Sequence, residues 1–157
     1  MTFEEWALVA CVVFTALWSG LFGMLNLVLH PMLARMSGAE FARFMALFLP
    51  TARTAAFNYV EVAGMVISPI VAIVAGVDGT VLVLTVIGLA LTIAGPLLVS
   101  NRAAEPNYDV ILSWDPEALP RGWEAVRHRY FALNWIRAVA TWTAFGLFFA
   151  ALLVSLG

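Results

Sequence analysis

The chain has 157 residues, of which 63% are hydrophobic and 11% charged, and its mean hydropathy is +0.95. A soluble domain carries about 25% charged residues, so the composition excludes a soluble globular protein and predicts an integral membrane protein. The formal net charge of -2 argues against a nucleic-acid partner, which requires a basic surface. Cys11 is the only cysteine, which excludes a disulfide framework and a cysteine-based metal site.

Four apolar stretches are long enough to cross a bilayer, which takes roughly 17–25 helical residues. The sequence therefore predicts an all-α fold, a membrane four-helix bundle that forms a single domain over residues 1–157. The predicted spans cover about 6–29, 55–76, 81–99 and 132–156. The start MTFEEW is acidic where a signal peptide is basic, so the first stretch is expected to be a retained span.

The two longer connections are expected to carry short cytoplasmic interfacial helices. Ser37 and Glu40 have the spacing of a capping box, which predicts a helix over about 38–49 that Pro50 ends. Its aromatic face either lies in the lipid headgroup layer or forms a lid over a cavity between the spans. The charged stretch before the last span predicts a second interfacial helix over about 120–131.

Arginine predicts the orientation, because the chain contains no lysine. Three arginines lie between the first and second spans, and the other five lie from Arg102 to Arg137. Loops rich in arginine stay on the cytoplasmic side of a membrane. Both termini are then expected outside the cytoplasm, and the predicted location is the bacterial inner membrane.

Polar side chains inside the spans predict the functional site, because they are costly in a membrane. In span one, Ser19, Gly23, Asn26 and His30 follow at steps of four, three and four, which places them on one helical face. Spans two and four add further members at a similar depth, given a rise of 1.5 Å per residue. These members are Glu61 in span two, with Asn58 on the same face, and Asn134 and Arg137 in span four.

Three interpretations of this cluster remain open. Glu61 and Arg137 form a buried ion pair that fixes helix packing, the cluster binds a substrate or an ion, or its members occupy separate, unrelated positions. His30 likewise faces the lipid headgroups, or it serves as a base at the mouth of a cavity. The two histidines have no metal-ligand spacing, so no metal site is predicted.

The order of these features resembles the anthrone oxygenase-like membrane family. The resemblance is carried by SGLFG and LHPML in span one, by EPNYDVILSW after span three, and by W-x₆-Y-x₃-N-x₂-R before span four. In this chain the last motif consists of Trp123, Tyr130, Asn134 and Arg137, and His30-Pro31 and Pro106-Asn107 also match the family. The resemblance implies oxidation of anthrone-type aromatic polyketides by O₂, with no metal or flavin cofactor.

One departure from the family pattern concerns the base. The family usually has histidine directly after the asparagine of span four and often threonine after the arginine, whereas this chain has Trp135 and Ala138. If that histidine deprotonates the substrate, His30 is its nearest substitute here.

The sequence thus leads to two main functional hypotheses, with a transporter as a third that would require the four spans to oligomerise. The first is a cofactor-independent oxygenase of a lipophilic, weakly acidic aromatic. Its candidate catalytic residues are His30, Glu61 and Arg137, and its candidate substrate-binding residues are Asn26, Asn58, Asn107, Trp123, Asn134 and Trp135. The alternative is a non-enzymatic membrane subunit or a protein that binds lipid or a small molecule, acting as a homo-oligomer or within a membrane complex.

The predicted orientation can be tested with topology reporters. A reporter fused at Asp78 or at Gly157 is expected to behave as non-cytoplasmic, and one inserted near Gly38 or Pro116 as cytoplasmic. Alkaline phosphatase is active only outside the cytoplasm and a fluorescent protein only inside it, so the two reporters give opposite signals at each position. A cytoplasmic C-terminus would overturn the orientation.

Overall fold

The computed structural model describes residues 1–157 and contains five helices and no strand, which confirms the predicted all-α class. The helices are α1 (Phe3–Arg35), α2 (Gly38–Thr54), α3 (Ala56–Ala75), α4 (Gly79–Leu112) and α5 (Trp123–Leu156). All except α2 are long and apolar enough to cross a membrane. The four long helices fit a four-helix bundle, as expected of an integral membrane protein.

Three of the long helices continue beyond the predicted spans. α1 extends past Leu29 and through Pro31, and α4 extends past Val99 into the polar segment. The predicted interfacial helix over 120–131 is not a separate element, because α5 begins at Trp123 and runs without a break to Leu156. The predicted boundaries followed the change from apolar to polar composition, whereas helical hydrogen bonding continues across that change.

Two of the helices widen locally into π-helical turns near their prolines. In α1 the widened segment is Leu25–Leu29, directly before His30 and Pro31. In α4 it is Ile93–Ala104, which contains Pro96. A π turn rotates the side chains that follow it relative to an α-helix, and such turns are frequent at functional sites. Both segments contribute polar residues to the site described below.

The capping box at the start of α2 is present as predicted. The Ser37 hydroxyl accepts from the Glu40 backbone N–H at 3.3 Å, and the Glu40 carboxylate accepts from the Ser37 backbone N–H at 2.8 Å. A hydrogen bond from the Ser37 hydroxyl lowers the pKa of the exposed Glu40 carboxyl. The predicted end of α2 at Pro50 is wrong, since the helix continues to Thr54. Proline removes one backbone donor, but the preceding Leu49 is buried and holds the helix in place.

The aromatic face of α2 packs against protein. The expectation that this face lies in the lipid headgroup layer is therefore wrong. Phe41 and Met45 are fully buried. They belong to the largest hydrophobic cluster, whose members come from α1, α2, α4 and the following loop, and α5. These members are Leu33, Phe41, Ala42, Met45, Leu49, Ala104, Tyr108, Ile111, Trp114, Tyr130 and Leu133. α2 therefore covers one end of the bundle.

Small residues on α4 allow it to lie close to α5. Thr85, Gly88, Thr92 and Gly95 are buried along one face of α4. A methyl group at Gly88 would meet the ring of Phe148, and one at Gly95 would overlap the methyl group of Ala140. At the other end of α4, the short connection from α3 turns at Gly76 and Gly79, whose φ angles are 111° and 50°.

Substitution of Gly95 tests this close approach. Gly95→Ala is expected to destabilise the protein by about 1–3 kcal/mol, because the new methyl group overlaps Ala140 and the helices must separate. Gly23→Ala is the matched control, since a methyl group at Gly23 meets nothing within 4 Å. Thermal unfolding in detergent measures both changes. Equal melting temperatures for the two variants would contradict the packing described here.

Candidate functional site

Asn134 on α5 lies at the centre of a buried polar network that joins α5 to α1. Its Nδ2 is 3.2 Å from Nε2 of His30, and its Oδ1 accepts a hydrogen bond from the guanidinium of Arg137. Nδ2 of Asn26 donates to the backbone carbonyl of Asn134 at 3.4 Å. All four residues are more than nine-tenths buried. The structure thus brings together four residues that the sequence predicted for the site.

The arginine fixes the orientation of the Asn134 amide and, through it, the protonation of His30. Arg137 has only donors, so Oδ1 of Asn134 must face it and Nδ2 must face the imidazole. Nε2 of His30 then accepts, which leaves the proton of the neutral ring on Nδ1. Nδ1 is buried and has no hydrogen-bond partner in the protein. His30 therefore holds the amide rather than facing the lipid headgroups.

Arg137 is a buried cation with no carboxylate partner in the chain. Its Nη1 donates to the Ser100 hydroxyl at 2.9 Å, and its Nη2 donates to the Tyr108 hydroxyl at 2.8 Å and to Asn134. The guanidinium carbon also lies 5.2 Å from the ring centre of Phe22. The side chain is only 8% exposed. Neutral oxygens and aromatic faces stabilise the charge, but no negative charge balances it.

A cleft of about 580 Å³ lies beside Arg137, and its wall is mainly apolar. This volume is within the range of pockets that hold a small organic molecule. Its lining comes from all five helices. The residues are Trp18, Leu21, Phe22, Leu25, Phe48, Leu49, Ala52, Arg53, Asn58, Tyr59, Val62, Pro96, Leu97, Ser100, Asn101, Glu105, Tyr108, Tyr130 and Arg137.

Charged residues close to the end of α2 form the more polar part of the cleft. Nη2 of Arg53 lies 2.7 Å from Oε2 of Glu105 and 2.7 Å from Oδ1 of Asp109. The charge of Arg53 is thus balanced, in contrast to that of Arg137. These contacts tie α2 to α4 beside the cleft, and Phe48 and Leu49 of α2 form part of its wall. This position agrees with the interpretation of α2 as a lid.

The predicted ion pair between Glu61 and Arg137 is absent. Glu61 is 4% exposed, and its Oε2 is buried without any hydrogen-bond partner, while Arg137 bonds only to neutral oxygens. Glu61 lies one helical turn before Met65, which packs with Trp18 and Phe22 of α1. The two residues share a depth in the sequence, but equal depth does not place two side chains in contact.

The remaining predicted residues are divided between the cleft and other surroundings. Asn58 lines the cleft and donates to the Ala52 carbonyl at 2.7 Å. Asn107 is buried away from it and donates to the Val126 carbonyl at 3.3 Å. Trp123 packs 4.6 Å from the guanidinium of Arg127, and Trp135 is 40% exposed on the outer face of α5.

Of the residues predicted for the site, only Asn58 and Arg137 line the cleft. Tyr130 lies between the cleft and His30, with ring centres 5.8 Å apart. Sequence reasoning missed Ser100 and Tyr108, which bind Arg137 directly. Both belong to the polar continuation of α4, which the sequence predicted as a connection outside the spans. The tyrosine in EPNYDVILSW was the available signal.

No group of three or more histidine, cysteine, aspartate and glutamate side chains is arranged to hold a metal ion. Comparison of the chain with protein families, with curated proteins and with solved structures finds no match.

Two substitutions of His30 test its role in the network. His30→Leu is expected to destabilise the protein by about 1–3 kcal/mol, because it leaves Nδ2 of Asn134 buried without an acceptor. His30→Gln is expected to lose less than half of that stability, since the side-chain oxygen of glutamine reaches the position of Nε2 and accepts from Asn134. Thermal unfolding of both variants provides the comparison. Equal losses would show that the hydrogen bond to Asn134 contributes nothing.

Proposed function

We propose that the protein binds a lipophilic, weakly acidic aromatic molecule in the cleft and oxygenates it with O₂ without a cofactor. The observation that carries this proposal is Arg137, a buried cation without a counterion on the wall of an apolar cleft. A buried charge without a partner is unfavourable, so an anion that fits the cleft gains a strong interaction there. An apolar wall selects anions that are also lipophilic.

The lining of the cleft supports an aromatic ligand. Trp18, Phe22, Phe48, Tyr108 and Tyr130 contribute rings to its wall. Flat aromatic molecules pack well against such rings. Leu21 is 40% exposed and Tyr59 is 66% exposed, so part of the wall continues to the outer surface of the bundle. A hydrophobic substrate dissolved in the membrane reaches the cleft from this side.

Stabilisation of the substrate anion is the chemical requirement for oxygenation without a cofactor. The anion transfers one electron to O₂, and the two radicals combine to form a C–O bond. The resulting hydroperoxide loses water and leaves a carbonyl group. Overall, one oxygen atom enters the product, and the other leaves as water with two hydrogens from the substrate CH₂ group. An anthrone becomes an anthraquinone in this way, in keeping with the family resemblance.

The proton of the substrate leaves by the polar part of the cleft in this proposal. Glu105 is the one carboxylate on the wall, and the exposed Asn101 lies near it in sequence. Arg137 favours ionisation of the substrate electrostatically, so a strong base beside the reacting carbon is not required. His30 then supports the site through Asn134 and does not take the proton itself.

A second candidate function is binding without reaction, in a membrane subunit or a carrier of lipophilic anions. It is favoured by the absence of His30 and Glu61 from the wall of the cleft, because these were candidate catalytic residues of the oxygenase. Both candidates use the same anion site. We propose that this site lies on the cytoplasmic side of a bacterial inner membrane, with both termini on the opposite side, because segments rich in arginine stay on the cytoplasmic side.

Substitution of Arg137 tests the proposed function. In detergent micelles, anthrone is expected to bind the wild-type protein and to form anthraquinone faster than in protein-free micelles. Arg137→Gln is expected to weaken binding roughly 10- to 100-fold, because a hydrogen bond to a charged group is lost, and to reduce oxygen uptake in parallel. Calorimetry and an oxygen electrode give the two measurements.

Arg121→Gln is the matched control, because Arg121 is exposed and lies in the loop before α5. Binding without oxygen uptake would favour the second candidate function. Unchanged binding in Arg137→Gln would refute both.

A further inference from the structure

Two hydroxyl groups next to Arg137 have the same unusual environment. The Ser100 and Tyr108 hydroxyls each accept a hydrogen bond from the guanidinium, at 2.9 and 2.8 Å. Both residues also line the cleft. Neither hydroxyl donates to any acceptor in the protein. Because the guanidinium occupies a lone pair of each oxygen, each O–H remains available to a ligand in the cleft.

We propose that Arg137, Ser100 and Tyr108 form an oxyanion site that takes a single ionised oxygen, as in a phenolate or an enolate. This inference rests on the proposed function, since it requires the anion to bind in the cleft. The guanidinium polarises both hydroxyls and makes them stronger donors. Hydrogen bonds to a charged oxygen are about twice as strong as those between neutral groups.

The hydrogen bonds of Arg137 explain why a carboxylate is a poorer ligand. A carboxylate binds arginine best through two parallel N–H groups, and both edges of the guanidinium that offer such a pair include Nη2. The two hydrogens of Nη2 are already donated to Tyr108 and to Asn134. Nε is buried without a partner. The guanidinium therefore has no pair of parallel N–H groups left to bind both oxygens of a carboxylate.

This geometry fits the proposed chemistry. The negative charge of a phenolate or an enolate spreads into the aromatic system, which can then give an electron to O₂. A carboxylate keeps its charge on two oxygens and does not. A site for one oxygen thus selects the class of anions that the reaction requires.

A matched pair of probes tests the selectivity. A nitronaphthol and the corresponding nitronaphthoic acid have similar size and are both anions at mildly alkaline pH. The wild-type protein in detergent is expected to bind the naphtholate at least about tenfold more tightly than the naphthoate. The visible absorption of the nitronaphthol gives a second measurement, because the bound molecule should ionise at a lower pH than in empty micelles.

Tyr108→Phe and Ser100→Ala are expected to weaken naphtholate binding roughly tenfold each, and naphthoate binding by less than about twofold. Ser100→Thr retains a hydroxyl and should preserve most of the affinity. Ser113→Ala is the matched control, because Ser113 is exposed outside the cleft and its hydroxyl donates to the Val110 carbonyl at 2.7 Å. Its naphtholate affinity should equal that of the wild type.

The possible failures are distinct. Equal affinity for the two anions, or unchanged naphtholate affinity in Tyr108→Phe, would overturn the oxyanion site. In that case the anion-binding proposal stands if Arg137→Gln weakens the binding of both the naphtholate and the naphthoate. Failure of the wild-type protein to bind either anion would overturn both proposals.

Discussion

The structure depends on how the bundle accommodates the charge of Arg137 without a counterion. The guanidinium donates hydrogen bonds to Ser100 and Tyr108 of α4 and to Asn134 of its own helix, and it lies against the ring of Phe22 on α1. Removing a cation from water is costly, and neutral acceptors recover only part of that cost. Three helices must therefore keep their places around one side chain, while its positive charge remains available to a ligand.

The absence of an ion pair with Glu61 leaves Arg137 without a counterion, as the proposed anion site requires. A carboxylate on Arg137 would have balanced the charge and made the cluster a packing device. Glu61 instead lies buried with an unpartnered Oε2, one turn before the apolar contact of Met65 with α1. The balanced arginine is Arg53, whose contacts with Glu105 and Asp109 join α2 to α4 beside the cleft. Arg53 thus joins two helices beside the cleft, whereas Arg137 is the cation of the proposed anion site.

The largest core lies at the end of the bundle that α2 covers, and not between the apolar midsections. There, Phe41 and Met45 of α2 pack with residues from α1, α4 and α5. Between the midsections, helix contact relies on small residues such as Gly88 and Gly95. Lipid is as apolar as the interior of the bundle, so hydrophobic burial contributes little to helix association within the membrane. Aromatic packing is concentrated where the helices leave the apolar region, next to the cleft.

The sequence by itself determined the fold class, the four long apolar helices and the capping box of α2, because these follow from composition and local spacing. It also found His30, Asn134 and Arg137, since polar side chains are rare within apolar helices. Only the tertiary structure decided which of them meet: Arg137 contacts Ser100 and Tyr108 rather than Glu61, and His30 lies behind Tyr130. The depth of a residue within a span can be calculated by counting residues along its helix. The direction of a side chain depends on π turns, helix rotation and packing, which the spacing of residues does not specify.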